Sequence, residues 1–155
     1  MAQVYTSDGF ASAEFPVTPT VEEAVDKLGD LFVKRTTTEC KIPGKRISLR
    51  LSWSELPPGT ETKIDSDEVF EQRVEALKAL YQNQGLTVSS CVRENFGEYP
   101  GAQIKTTSDA GQTITLTRMV QTPKGVYRVI VITTLALESE PIVQRFLKSF
   151  ALHPK

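Results

Sequence analysis

Three extended runs follow one another in the second half of the chain, residues 102–107, 113–121 and 126–137, with only Asp109-Ala110-Gly111 and Pro123-Lys124-Gly125 between them. Connections that short allow only antiparallel pairing, because a parallel crossover needs a far longer link. The three runs are therefore a meander. Both links suit a three-residue loop, a type I turn followed by glycine in the left-handed region. That loop length sets Thr106 opposite Ile114, Ile104 opposite Leu116, Val120 opposite Arg128 and Arg118 opposite Ile130. The last run is apolar on both faces, with Val126, Ile130 and Ile132 on one and Tyr127, Val129, Val131 and Leu135 on the other. Both faces then need cover, so helices are expected on each side of an antiparallel sheet.

Upstream, residues 5–16 read as two short strands around the Asp8-Gly9 turn, stopped by Pro16. Residues 21–28 have the spacing of a two-turn helix, with Thr20 as N-cap, Glu22 and Glu23 in the first turn and Gly29 ending it. Residues 31–41 and 46–56 flank Ile42-Pro43-Gly44-Lys45, a type II turn and hence a hairpin. In its second arm Ile47, Leu49, Leu51 and Trp53 face the core, and Arg46, Ser48, Arg50 and Ser52 face water. After Pro57-Pro58-Gly59, Ser66 caps a helix whose stripe is Val69, Phe70, Val74, Leu77, Leu80 and Tyr81, ended by Gly85. A strand over 86–95 and a closing helix over 141–150, capped by Ser139, complete the reading. No repeat or linker divides residues 1–155, so one α+β domain is expected, an antiparallel sheet of about six or seven strands with helices packed on it.

Eighteen basic and nineteen acidic residues give a net charge of -1, which supplies no overall field toward nucleic acid or an anionic membrane. No apolar run reaches the roughly 20 residues that span a bilayer. The N-terminus lacks the charged-then-apolar character of a signal peptide, so the chain as written reads as cytoplasmic. An exported domain stripped of its leader would look the same. Cys40 and Cys91 form neither a CxxC pair nor a metal cluster, and read as two buried free thiols or, in an exported protein, as one disulfide.

No catalytic motif emerges. The one histidine, His153, lies near the C-terminus, where chains commonly fray. The nine glycines are scattered at turns and never form a phosphate loop, so no cofactor is expected. Asp65-Ser66-Asp67-Glu68 lacks the spacing of a calcium loop and suits a helix N-terminus. The register above puts Arg118 and Arg128 together on the face that carries Ile130 and Ile132, where two guanidinium groups would hold a small anion or pair with Glu94 or Glu98. The loop from Phe96 to Gly101, with Phe96 and Tyr99, is either an interaction surface or a plug on the core edge.

Asp8-Gly9-Phe10 leading to Phe15-Pro16, Tyr99-Pro100-Gly101 before a strand, the apolar strand around Tyr127 and the terminal Arg145-Phe146-Leu147-Lys148-Ser149-Phe150 resemble a group of small bacterial proteins, often exported, with a PsbP-like α/β/α sandwich. The resemblance spans nearly the whole chain and implies a fold. That fold is shared by a photosystem II extrinsic subunit and a nuclear import factor that binds a GTPase, so it implies no single activity. The expectation is a non-enzymatic binding or accessory domain that recognises a protein partner. The alternatives are an anion binder built on Arg118 and Arg128, and an enzyme with an unfamiliar carboxylate or tyrosine site.

Overall fold

The computed structural model describes residues 2–28, 31–55, 67–108, 112–122 and 125–153. Its strands are β1 (Ala2–Tyr5), β2 (Ala11–Phe15), β3 (Thr20–Leu28), β4 (Leu31–Lys41), β5 (Ser48–Glu55), β6 (Leu86–Arg93), β7 (Gly101–Ser108), β8 (Thr113–Gln121), β9 (Gly125–Thr134) and β10 (Ala151–Leu152). The helices are α1 (Asp67–Asn83) and α2 (Pro141–Ser149), with one 3-10 turn at Leu135–Leu137. Seven strands form one sheet in the order β3-β4-β5-β9-β8-β7-β6, and β1-β2-β10 form a second. All pairings are antiparallel.

Most elements lie where the sequence pattern puts them; the last strand of the meander stops at Thr134, leaving Leu135 exposed in a 3-10 turn, and one element changes type altogether. Residues 20–28 are not a helix but an edge strand paired with β4 from Thr20↔Glu39 to Leu28↔Leu31. Val21 and Val25 are four apart, which places them on one face of a helix and equally on one face of a strand, so periodicity is ambiguous there. Two β-branched valines and the long pairing edge offered by β4 decide for the strand. At α2, Glu140 and not Ser139 is the N-cap and makes no side-chain cap bond, while Pro141 takes the first helical position as expected. Gly85, at φ +79°, closes α1. Ser66 lies outside the described residues.

The meander exists, but its register is shifted by one residue at both turns. Thr122 and Gly125 exchange backbone hydrogen bonds (2.9 and 3.3 Å), so that hairpin closes over two residues, with Gln121 opposite Val126. Gly125 is therefore a strand residue. A Cβ there would lie 2.3 Å from the Ser54 carbonyl oxygen, so close approach to β5 explains the glycine better than turn conformation does. Across β7 and β8, Thr107 faces Ile114 and Lys105 faces Leu116. Across β8 and β9, Arg118 faces Val129 and Met119 faces Arg128. A one-residue slip moves a strand's side chains to the other face relative to its partner, and the two arginines consequently lie on opposite faces.

One face of the large sheet carries Leu49, Leu51, Trp53, Val120, Tyr127, Val129 and Val131, all buried. β2 and α2 cover it through Ala11, Ala13, Phe15, Val143 and Phe146. On the other face α1 packs on β6, its Val74 joining Ala102, Ile104 and Met119 in a second, smaller core. The result is an α/β/α sandwich in which, among the described residues, the second layer covers the β6–β8 end and reaches Val126 on β9. Along β9, buried residues alternate with half-buried ones, so the face bearing Arg128, Ile130 and Ile132 is less covered than the sequence implies.

Candidate functional site

Three of the five N–H donors of Arg118 are engaged within the protein. Its Nε and Nη2 donate to Glu94 Oε1 at 3.0 and 2.9 Å, its Nη1 donates to the Leu147 carbonyl, and its guanidinium lies 5.0 Å from the Phe96 ring centroid. The side chain thus ties β8 to the end of β6 and to the last turn of α2, where orphan carbonyls favour a cation. Lys105, in the same shallow cleft, is paired with Glu138 at 2.8 Å.

Phe96 and Tyr99 close their loop on each other, with reciprocal backbone hydrogen bonds of 2.9 and 3.0 Å and Gly97 at φ +62°. Phe96 packs edge-on against Phe150 and Tyr99 against Phe10. Phe10 in turn stacks on Tyr127. Both rings are half-buried against the main core, and with Gly97, Glu98 and Leu152 they also line an open cavity of about 500 Å³.

Two side-chain to side-chain hydrogen bonds among the described residues join positions more than a hundred apart. The Tyr127 hydroxyl donates to Asp8 Oδ2 at 2.5 Å, and Asp8 Oδ1 accepts from Thr6 Oγ1 at 2.6 Å and the Phe10 N–H at 3.0 Å. Burial pushes the Asp8 carboxyl up, but these donors outweigh it and hold it below the ordinary aspartate value. Burial and the Asp8 carboxylate push the Tyr127 phenol far up, so it stays a donor. The second contact is Ser12 Oγ to His153 Nε2, 2.7 Å apart. The pairing of β10 with β2 and the bond from His153 N–H to the Phe10 carbonyl (2.6 Å) anchor this terminus, which the sequence reading expected to fray. Ser12 has no solvent exposure, so it offers no nucleophile to a substrate as folded. Neither contact has a sequence signature, because strand order and not spacing creates both.

Cys40 is buried on β4 and Cys91 half-buried on β6, both free thiols. Five strand spacings separate those strands, about 24 Å at the usual interstrand distance. The disulfide alternative is excluded by that distance. Burial pushes both thiols up, which favours the protonated form and slows their reaction.

The edge hairpin β3–β4 was not anticipated as a site. Val21, Val25 and Phe32 project from one of its faces at 62%, 66% and 70% exposure. Val21 also borders a cavity of about 190 Å³ shared with Tyr5, Leu51 and Trp53. Among the described residues no strand pairs with the outer edge of β3. β3 carries Glu22, Glu23 and Asp26 against the single Lys27. Among the described residues no helix is long and apolar enough to cross a membrane, and no cluster of metal-ligating side chains occurs.

No family model matches the chain, and no curated protein matches it by sequence. Solved structures do match by shape. The cyanobacterial PsbP protein CyanoP from Synechocystis superposes with a TM-score of 0.58 over 98% of this chain and 92% of its own, at 11% identity. A Pseudomonas aeruginosa protein of unknown function, PA94, superposes at 0.54 over 86% of this chain and 99% of its own, at 13% identity. At these identities the likeness is one of fold, and it is the fold that the sequence resemblance implied.

Proposed function

We propose that the chain is a non-enzymatic binding domain that captures an extended segment of a partner protein along β3. The reading rests on one observation, the three large apolar side chains Val21, Val25 and Phe32 exposed together on the edge hairpin. An added strand would satisfy the free backbone groups of β3 and lay alternate side chains over this strip. The cavity beside Val21 would accept one apolar side chain. With three acidic residues and one lysine, β3 favours a basic partner and disfavours pairing with its own copy.

The test compares Phe32→Glu with Leu80→Glu, both at exposed positions, the second on α1. Surface substitutions of this kind change stability by less than about 0.5 kcal/mol, so both variants should fold. Partner capture should be lost in the first and kept in the second. Equal loss, or none in either, would refute the assignment.

A further inference from the structure

Thr37, Ser52 and Arg128 are successive cross-strand partners on β4, β5 and β9, and Glu39, Arg50 and Ile130 form the next row. Together they floor a pocket of about 250 Å³ on the sheet face opposite the Val21–Phe32 strip. The charges in it are unevenly committed. Arg50 Nε is bound to Glu39 Oε2 at 2.5 Å, and Arg35 is paired with Asp26 at 3.6 Å. Among the described residues no hydrogen bond or ion pair holds Arg128, Asp26 acts on it only at longer range, and its Nε is sealed from solvent without a partner. Ser52 Oγ beside it is likewise sealed and unpartnered. A guanidinium in such surroundings ordinarily has a counter-charge.

We infer that this pocket binds a small monocarboxylate, its carboxylate on the Arg128 guanidinium and its short apolar body against Ile130. A fork of parallel N–H donors fits a carboxylate. Charge decides for a monoanion. Three guanidinium and two carboxylate groups line the pocket, and with Glu39 engaged by Arg50, the exposed Glu22 has no ion pair among the described residues. A dianion would meet both glutamates for one uncommitted arginine. Burial of Arg128 disfavours its charged form, which an incoming anion would offset.

The test is an NMR titration of the full ¹⁵N-labelled chain with butyrate, with butyramide as the neutral analogue and inorganic phosphate as the other anion. Butyrate should give saturable shifts of the Arg128 Nε–H and of the Thr37 and Ser52 amides, with butyramide silent and phosphate weaker. Arg128→Gln should lower butyrate affinity by at least about tenfold. Glu22→Gln, at an exposed position that does not threaten the fold, should raise it roughly two- to fivefold. No saturable shift, an equal response to butyramide, or unchanged affinity in Glu22→Gln would overturn the inference. Tighter binding of phosphate than of butyrate would overturn the choice of a monocarboxylate.

Discussion

Replacing Tyr127 by Phe removes one oxygen from the middle of the main core and leaves the ring in place. The stacking on Phe10 (centroids 5.3 Å apart) and Trp53 (6.2 Å) survives, so the effect isolates the hydroxyl. That hydroxyl is the only donor to Asp8 Oδ2 among the described residues, since Thr6 and Phe10 both serve Oδ1. A hydrogen bond to a charged group contributes about 1.5–3 kcal/mol net. For a domain of this size the loss corresponds to a fall in Tm of about 3 to 12 °C. The pH dependence follows from the Asp8 shift. Its folded pKa lies below the ordinary value, so its stabilising contribution is complete above the unfolded pKa and disappears as pH falls through the folded one. The variant has one donor fewer and a higher folded pKa, so the difference between the two proteins should shrink on acidification. Urea unfolding followed by the fluorescence of Trp53, the single tryptophan, measures both quantities. A difference below about 0.5 kcal/mol at neutral pH, or one that persists once Asp8 is protonated, would refute the reasoning.

Gly125→Ala should destabilise by more than about 3 kcal/mol, because the new Cβ meets the Ser54 carbonyl at 2.3 Å and rigid backbone must move. Gly44→Ala, at φ +74° with nothing near the added methyl, should cost only about 1 kcal/mol, and chemical denaturation of the pair distinguishes collision from conformation. Arg118→Met should cost about 2–3 kcal/mol and raise amide exchange in the last turn of α2, since Glu94 and the Leu147 carbonyl lose their shared donor. Under a mild oxidant the chain should form no intramolecular disulfide. Cys91 should be alkylated faster than the buried Cys40, both slowly, by mass spectrometry.

How far the sequence carried the fold depends on what each signal measured. Alternation in Ile47–Trp53 and the two-faced run around Tyr127 report burial, and the structure buries Leu49, Leu51, Trp53, Tyr127, Val129 and Val131. Turn chemistry was less decisive. Treating Gly125 as a loop residue lengthened the hairpin by one and put Arg118 and Arg128 on one face, because glycine signals close approach as readily as a left-handed turn. The same slip hid the pocket around Arg128, whose other members come from β4 and β5. Thr20–Leu28 misled for a different reason, since residues four apart share a face in helix and strand alike. Read as a helix, the valines would have packed inward. As an edge strand they form the exposed strip from which the partner proposal starts.

The most direct test of that proposal places a photo-crosslinking residue at Val25 in one protein and at Leu80 in another, both exposed positions, and illuminates them with cellular extract from the source. Crosslinking at Val25 to a segment of one protein, suppressed by Phe32→Glu and absent from the Leu80 position, is the predicted result. Crosslinks that are equal at the two positions, or that persist in the Phe32→Glu background, would contradict it.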